Sequence, residues 1–247
     1  MTREVRVIPL TGIPEVDEGD DLAALLVRSA DRIGGLEPGD VVVVAQKVVS
    51  KLEGRVRDLT EIEPSKRARA LAGGDDPRRT ELILRESRRI VRERPPLLIA
   101  ETRHGFVCAS AGVDSSNAHG PHTVVLLPVD PDASARRLRE RIRELASAEV
   151  GVIVSDSFGR PFRLGTTDVA LGVSGLAPLE DLRGQRDSTG YELQTTQIAV
   201  ADEIAGAAEL VMGKTRGIPA AIVRGVLLQG DGTGQDLLMP PERDLFR

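Results

Sequence analysis

Apolar positions along the chain alternate between a spacing typical of strands and a spacing typical of helices. Val41 to Ala45 is a continuous, mostly β-branched run, which is the pattern of a strand covered on both faces. Asp21 to Ile33 and Asp132 to Ala148 instead carry leucine and isoleucine at helical spacing, and the second alternates arginine with glutamate elsewhere. This alternation predicts an α/β or mixed α+β protein rather than a helical bundle or a β-sandwich.

The same patterns predict the other elements. The remaining predicted strands are Val5 to Pro9, Leu97 to Ala100, Phe106 to Ala109, Thr123 to Leu127, Val150 to Ser155 and Ala220 to Val226. The remaining predicted helices are Pro64 to Leu71, Thr80 to Glu93 and Thr195 to Met212. The tail after Gln229 is rich in glycine and aspartate and is predicted to be irregular. No repeat or low-complexity linker divides the chain, so residues 1–247 are interpreted as one domain, with two lobes of undefined boundary as the alternative.

The amino-acid composition and the net charge argue against several classes of function. The chain of 247 residues is 40% hydrophobic and 29% charged, which is typical of a globular protein with a sizeable core. An aromatic content of 2% and a net charge of -5 argue against a nucleic-acid-binding surface. The single cysteine, Cys108, excludes an intrachain disulfide and a cysteine zinc cage, and its apolar neighbours favour a small buried residue over a nucleophile. With no apolar run near the ~20 residues of a membrane span and no signal-peptide core, we predict a cytoplasmic protein.

Two segments place an aspartate among hydroxyl and amide residues. Asp114 lies in AGVDSSNA at positions 111–118, whereas Asp156 and Ser157 lie in VIVSDSFGRPFR at positions 152–163. A strand ending at Ser155 would deliver Asp156 and Ser157 to the edge of a sheet, and Gly159 would then permit a tight turn. Hard divalent ions prefer such oxygen ligands. Ordinary turn chemistry is the alternative for each segment alone.

Cationic side chains follow two of the predicted strands. QKVVSKLEGR, at positions 46–55, presents Lys47, Ser50 and Lys51, which suit phosphate oxygens, and a solvated lysine pair is the alternative. The segment lacks the glycines of a Walker loop, and no GxxxxGK[ST] pattern occurs elsewhere. Arg160 and Arg163 are candidates to clamp a carboxylate or phosphate, with surface ion pairs as the alternative.

Two loops have the composition to bring backbone N–H groups close to a ligand. The backbone amides of Ile13 to Val16, in LTGIPEVDEGDDL, are candidates to line a nucleotide pocket, whereas Asp20 and Asp21 suit the start of a helix. ELVMGKTRGIPAAIVRG, at positions 209–225, joins a helix to a strand through a glycine-rich loop. A plain helix C-cap is the alternative for Gly213.

Motifs of the common hydrolases, zinc proteases and dinucleotide-binding proteins do not occur in the chain, which contains no GxSxG, HExxH or GxGxxG pattern. The histidines lack metal-ligand spacing and are not predicted to be catalytic; they are His104, His119 and His122.

Seven segments occur along the chain in a particular order and spacing. They are GIPEVDEGDDL, VVSKLEGR, AGVDSSN, SDSFGRPFR, GQRDSTGYEL, VADEIA and MGKTRGIPAAIVRG. Taken together, nearly end to end, they resemble the coenzyme F420:L-glutamate ligase family, the gamma-glutamyl ligases. The resemblance implies a GTP-dependent ligase that adds L-glutamate to the deazaflavin coenzyme precursor, with a divalent Mg or Mn ion and help from potassium (K). It also implies a family-specific α/β fold of mixed sheets and flanking helices, in an intertwined homodimer.

The resemblance further implies roles for particular residues. Asp114 and Asp156 would hold the metal ion, Ser157 would serve a second ion, and Lys51 would join the two aspartates as a catalytic residue. The residues implied to contact the nucleotide are Ile13, Pro14, Glu15, Val16, Gln46, Lys47, Lys51, Asn117, Met212, Gly213, Lys214, Thr215, Arg216, Gly217, Ile218 and Pro219.

The chain departs from the family pattern at two positions. Lys214 stands where some relatives carry a glutamate, and a protonated lysine cannot coordinate a second cation. Lys47 replaces a small hydroxyl residue of some members and adds a positive charge for the phosphates. The chain ends at Arg247, soon after the ligase-like region, so we expect no fused flavin-binding reductase-like domain.

The implied reaction activates a carboxylate by phosphorylation. GTP would give its γ-phosphoryl group to the terminal carboxylate of the precursor, and the amine of glutamate would attack the acyl phosphate. Lys51 would neutralise phosphate charge in the same step. The alternatives are a metal-dependent phosphohydrolase or kinase, whose nucleotide cleavage would not need glutamate, and a non-catalytic nucleotide-binding protein, which would bind GTP without turnover.

Overall fold

A computed structural model describes residues 4–118, 120–226 and 230–245 of the protein. Strands β1 to β12 are, in order, Arg6–Leu10, Val41–Ala45, Val56–Asp58, Ser87–Arg94, Leu97–Thr102, Val107–Ala109, Thr123–Val125, Gly151–Arg160, Arg163–Ser174, Glu180–Asp181, Gln197–Ile198 and Ala220–Arg224. Helices α1 to α6 are Leu22–Asp31, Gln46–Leu52, Lys66–Leu71, Pro77–Glu86, Pro131–Ala146 and Val200–Met212. Single 3-10 turns occur at Leu59–Glu61, Ser110–Gly112, Gly234–Leu237 and Pro241–Arg243. His119 and Gln229, both considered above, lie outside the described residues.

A five-stranded mixed sheet forms the centre of the molecule, in the order β1-β12-β2-β8-β9. The β2 and β8 strands run parallel, with Val41 opposite Gly151, whereas the other neighbouring pairs run antiparallel. Smaller sheets pair β3 with β7, β10 with β11, and β4 with β5 and β6. The mixed sheets and their flanking helices confirm the predicted fold class.

Helices cover both faces of the central sheet. Val42 and Val44 of β2 are buried in a hydrophobic cluster with the apolar faces of α1 and α5. Val41 and Val43, the alternate residues of the same strand, are buried in a second cluster with α6. Successive side chains of a strand point to opposite faces, so a run that is apolar throughout needs a partner layer on each side. Among the described helices, none combines the length and apolar character needed to cross a membrane.

A separate hydrophobic cluster lies between residues 59 and 126 and supports one of the aspartate segments. It includes Leu82 and Ile83 of α4 and Leu98 of β5. At its border, the backbone of Asp114 makes two hydrogen bonds with Val125, with N···O distances of 3.0 and 2.8 Å. The AGVDSSNA loop is thereby held against β7 at the side of the central sheet.

The prediction of a long helix at Thr80 to Glu93 is wrong for the second half of that range. The α4 helix begins earlier, where Asp76 accepts a hydrogen bond from the backbone N–H of Arg78, and it ends at Glu86. The following residues form β4, which pairs antiparallel with β5. The β-branched pair Ile90 and Val91 favours a strand, and pairing with β5 supplies the backbone hydrogen bonds that decide between the two structures.

Two further predicted boundaries need correction. The helix predicted from Thr195 begins at Val200, because Gln197 and Ile198 pair instead with Glu180 and Asp181 as a short antiparallel ladder. Sequence periodicity cannot reveal such a pairing, since its partner strand has only two residues.

The strand predicted at Val150 to Ser155 continues well beyond its expected end, as β8, in a hairpin with β9. The tight turn predicted at Gly159 is wrong, because Gly159 remains in the ladder and the chain reverses near Phe162, whose φ is +59°. Asp156 and Ser157 therefore lie within a paired strand rather than in a loop after it, because β9 supplies partners along the whole length.

Candidate active site

The segment that follows β2 forms a helix whose lysines are buried. Helix α2 begins directly at Gln46, so that Lys47 and Lys51 lie one turn apart and face the same side. Only 13% of the Lys47 side chain and 7% of the Lys51 side chain is exposed, which excludes the alternative of a solvated lysine pair. Ser50 is buried and donates a hydrogen bond to Gln46 Oε1 at 2.8 Å, so its hydroxyl supports the helix rather than facing a phosphate.

Each buried ammonium group is paired with a carboxylate from a distant segment. Lys47 Nζ lies 2.5 Å from Asp114 Oδ2 and also donates to the Ser116 hydroxyl. Lys51 pairs with Glu15. Burial of a charge is costly unless a partner compensates it, so these pairs bind α2 firmly to the AGVDSSNA loop and to the loop before α1. Three of the segments selected from the sequence therefore meet at one place.

A cavity of about 360 Å³ opens between these segments and the loop after α6. Every residue predicted to contact the nucleotide lines this cavity except Arg216, which is exposed and donates to the backbone oxygen of Leu210. Asn117 Nδ2 donates to the backbone oxygen of Lys214 at 3.4 Å and joins two sides of the rim. The volume lies within the range typical of small-molecule sites. The predicted residues converge, and their binding of a nucleotide stays a prediction.

Gln46 offers the cavity a buried polar atom. Its side chain is 1% exposed and lines the cavity, and its Nε2 has no hydrogen-bond partner within the described part of the chain. Buried amide groups nearly always have a partner in folded proteins.

Acidic side chains also line the large cavity. Asp156 and Ser157 reach it from β8, and Asp168 reaches it from β9, where it lies directly opposite Ser157 in the ladder. The Asp168 carboxylate is 4% exposed and accepts hydrogen bonds from Ser155 Oγ at 2.9 Å and from Ser157 Oγ at 2.6 Å. Glu209, from the last turn of α6, is a further acidic residue of the lining.

Asp168 and Glu209 line the large cavity but are not among the site residues predicted from the sequence. The only signal at Asp168 is a charged residue directly before the apolar residues of β9, and its relation to the serines depends on the register between β8 and β9. Glu209 stands at an ordinary position near a helix end. Burial raises the pKa of Glu209, and the nearby charge of Asp168 raises it further.

The two aspartates selected from the sequence differ in their electrostatic environment. Burial raises the pKa of Asp156 to about 7, with Lys47 lowering it and the charges of Asp114 and Asp168 adding to the increase. Burial also opposes the ionisation of Asp114, but hydrogen bonds from Lys47 and Ser116 outweigh it and leave the pKa below its usual value. Such perturbed groups concentrate at functional sites.

Asp114 and Asp156 meet at a second, smaller cavity, of about 180 Å³, that Ser157 also lines. Within the described ranges, no three His, Cys, Asp or Glu side chains are already grouped as a metal site. The donor chemistry nevertheless fits a hard divalent ion, since the Asp156 carboxylate and the Ser157 hydroxyl supply oxygen ligands. Asp114 could join them only after Lys47 moves to another partner, such as a phosphate.

Other candidates have local structural roles. Arg160 and Arg163 lie on the β8–β9 hairpin and line neither cavity, and Arg160 donates to the backbone oxygen of Leu164 at 2.9 Å. Asp21 caps α1 by accepting from Ala24 N at 3.0 Å, as expected for a helix start. Gly213, with φ of +59°, is the C-cap of α6 and also lines the large cavity, so the C-cap is confirmed and contact with a ligand stays a prediction.

Cys108 is buried, as predicted from its apolar neighbours. Burial raises the pKa of its thiol to about 12, and the charge of Asp156 contributes to the increase. The thiolate is the nucleophilic form of cysteine, so a thiol with so high a pKa is a structural residue rather than a nucleophile.

The fold and the site together define an α/β protein in which two largely buried lysines and two aspartates line one cavity, an arrangement suited to a phosphate-bearing ligand with a cation. The model of the family described as F420-0:Gamma-glutamyl ligase matches residues 12–225 of the chain. The chain therefore belongs to the F420-0:gamma-glutamyl ligase family, which confirms the resemblance found in the sequence.

Individual relatives match over nearly the whole chain. The chain is 49% identical over 251 residues to the coenzyme F420:L-glutamate ligase of Methanopyrus kandleri, and the match covers 98% of each protein. It is 45% identical over 250 residues to the protein of the same name from Methanothermobacter thermautotrophicus, covering 98% of this chain and 99% of the relative.

Proposed function

We propose that this protein forms an amide bond between L-glutamate and the deazaflavin precursor of coenzyme F420, driven by cleavage of GTP. Relatives that match nearly the whole chain are named as ligases of coenzyme F420 and L-glutamate, which supports the substrates. The observation that carries the use of a nucleotide is the convergence of Lys47 and Lys51 with Asp156 at one cavity. A homodimer belongs to the same proposal, and light scattering of the purified protein tests it.

The chemistry requires activation of a carboxylate, because its oxygen is a poor leaving group. Transfer of the γ-phosphoryl group of GTP to that oxygen produces GDP and an acyl phosphate. The amine of glutamate then attacks the acyl carbon, inorganic phosphate leaves, and the attacking nitrogen loses a proton. Lys51 and Lys47 place positive charge where the phosphate oxygens gain negative charge, and such preorganised charge stabilises a transition state.

The proposal includes a divalent ion, Mg or Mn, with potassium as a further ion. Asp156 would hold the divalent ion together with Asp114 and the Ser157 hydroxyl. When bound, it would offset the negative charge of the phosphate oxygens. Asp168 keeps the Ser155 and Ser157 hydroxyls oriented, because each donates a hydrogen bond to its carboxylate. The exposed Lys214 stays at the rim, where its positive charge suits an anionic substrate better than a second cation.

Product analysis tests the reaction type. With deazaflavin precursor, glutamate, GTP and Mn present, we expect one GDP and one inorganic phosphate for each amide bond, measured by chromatography and mass spectrometry. The mass of the product also counts the glutamates added. Pyrophosphate with GMP would indicate adenylate-type activation instead, undiminished GTP cleavage without glutamate would indicate a phosphohydrolase, and binding without turnover would indicate a binding protein.

Replacement of Asp168 by asparagine is expected to lower the turnover number by roughly 10- to 100-fold. An amide is a weaker acceptor than a carboxylate, so Ser157 beside Asp156 loses its fixed orientation. Initial rates at saturating substrates measure the effect. Asp132→Asn serves as the control, because Asp132 is also buried against β9, where it accepts from Val173 N at 2.8 Å, but it lines neither cavity. Equal losses in both variants would contradict a specific role for Asp168.

A further inference from the structure

Apart from the divalent ion proposed at Asp156, the smaller cavity has no ligand in the proposed reaction. It adjoins the large cavity and shares Asp156 and Ser157 with it, while Asp114 lines only the smaller one. Its volume of about 180 Å³ lies below the range typical of sites for drug-sized ligands. A whole nucleotide or deazaflavin is therefore too large for it, whereas a single amino acid is of suitable size.

Arg79 supplies positive charge to this cavity from helix α4. Its side chain is 22% exposed, its Nη2 donates to the backbone oxygen of Val113 at 3.0 Å, and its Nη1 lies 3.4 Å from an oxygen of Asp75. These contacts use only part of the five N–H donors of a guanidinium group. The remaining donors suit a carboxylate, which arginine can bind in a bidentate manner.

The backbone between Arg79 and the aspartates has an unusual conformation. Ser110 and Ala111 adopt φ values of +54° and +51°, and Gly112 follows with +72°. Consecutive left-handed residues that are not glycine are uncommon, and proteins retain them chiefly at functional sites. Arg79 holds this turn in place through Val113, the residue that follows it. Ser110 and Gly112 both line the smaller cavity.

We propose that the smaller cavity binds the glutamate substrate, with Arg79 holding one of its carboxylates and its amino group directed at the border with the large cavity, beside the Ser157 hydroxyl. This inference rests on the proposed function. The lining suits a free amino acid, because the Arg79 guanidinium can bind a carboxylate and the Ser157 hydroxyl, at the border with the large cavity, can accept a hydrogen bond from an amine. The precursor offers a carboxylate but no ammonium group, which favours glutamate as the occupant. Binding in this position would place the amine beside the border with the large cavity, where the activated carboxyl is expected.

Steady-state kinetics of two variants test this assignment. Arg79→Gln is expected to raise the KM for glutamate by roughly 10- to 100-fold, the loss typical of a charge-assisted hydrogen bond, and to leave the KM for GTP within about twofold. Ala109→Leu is expected to raise the KM for glutamate as well, because Ala109 lines the cavity and a larger side chain would occupy it without removing a charge. Arg79→Lys should restore part of the affinity.

The neighbouring arginine provides a matched control. The Arg78 guanidinium pairs with Asp76 at 2.7 Å and lines neither cavity, so Arg78→Gln should leave the KM for glutamate unchanged. The assignment is overturned if Arg79→Gln and Ala109→Leu lower only the turnover number. It is equally overturned if they raise the KM for the deazaflavin precursor instead of that for glutamate.

Calorimetry separates failure of this assignment from failure of the proposed function. If the wild-type protein forms no amide, the proposed reaction is wrong, and binding of glutamate alone then decides the smaller cavity. Binding to the wild type that Arg79→Gln weakens would support the assignment. Absence of binding to the wild type, or equal binding to both proteins, would overturn it.

Discussion

Replacing Asp156 by asparagine is expected to lower the turnover number by on the order of 10³-fold or more while the protein stays folded. Asp156 lies where the two cavities meet and faces the charges of Lys47, Asp114 and Asp168. An asparagine keeps the shape of the side chain but removes the negative charge proposed to hold a divalent ion beside the phosphates. Initial rates at saturating GTP, glutamate, precursor and Mn measure the loss.

The same substitution is expected to stabilise the metal-free protein above neutral pH. The Asp156 carboxyl has a pKa of about 7 in the folded chain and of 3.8 without its surroundings. Between pH 3.8 and about pH 7 the folded state therefore binds one more proton than the unfolded state. The contribution of this carboxyl to the free energy of unfolding therefore falls as the pH rises from about 4 to about 7, and stays constant above that. Asp156→Asn removes this contribution and should gain on the order of a few kcal/mol at pH 8, allowing for partial exposure.

Urea denaturation in the presence of a chelator, at pH 5 and pH 8, measures this gain. Asp202→Asn is the control, because burial also raises the pKa of Asp202, which accepts from Ala170 N at 2.8 Å but lines neither cavity. We expect Asp202→Asn to retain near-normal turnover. A variant of Asp156 with normal turnover at saturating Mn would refute the proposed role of this carboxylate.

Replacing Lys51 by methionine is expected to reduce kcat/KM for GTP by roughly 10²- to 10³-fold. Methionine resembles the lysine stem in length but carries no charge, so the large cavity loses an ammonium group that is 7% exposed in the folded chain. Its partner Glu15 is 57% exposed and can be rehydrated, so we expect little loss of stability.

Two measurements and a control variant check this second expectation. Initial rates over a range of GTP concentrations give kcat/KM, and calorimetry with GDP reports nucleotide affinity independently of turnover. Lys66→Met, at an exposed position of α3, provides a control for the removal of one positive charge. Unchanged GTP kinetics in Lys51→Met would show that the buried ammonium group has only a structural role.

The sequence predicted most elements of the fold where the apolar pattern was regular. Val41 to Ala45 is a strand with those bounds, and the helix predicted at Asp132 to Ala148 differs from α5 by one or two residues at each end. The prediction was wrong from Ser87 to Glu93, where tertiary pairing with β5 outweighs a pattern compatible with a helix. Local propensity is weak there, so hairpin pairing with the next strand along the chain decides.

The candidate site was partly accessible from the sequence because its segments have recognisable composition. The lysines that follow a buried strand and the aspartates that lie among hydroxyl residues were predicted as site residues from this composition. The loss of Arg160, Arg163 and Arg216 from the cavity lining was not predictable, since side-chain direction at a hairpin or loop depends on packing. The role of Asp168 was not predictable either, because its only signal in the sequence is a carboxylate beside the apolar residues of a strand.

The sequence by itself determined the alternation of strands and helices, the family, and the segments that carry charge. Only the tertiary structure decided which charges meet: Lys47 contacts Ser116, 69 residues away in the chain, and Asp168 lies opposite Ser157. The physical reason is that periodicity reflects local burial, whereas sheet register and helix packing set the contacts between distant residues. The electrostatic environment of Asp156 follows from those distant contacts and could not be read from its neighbours in the chain.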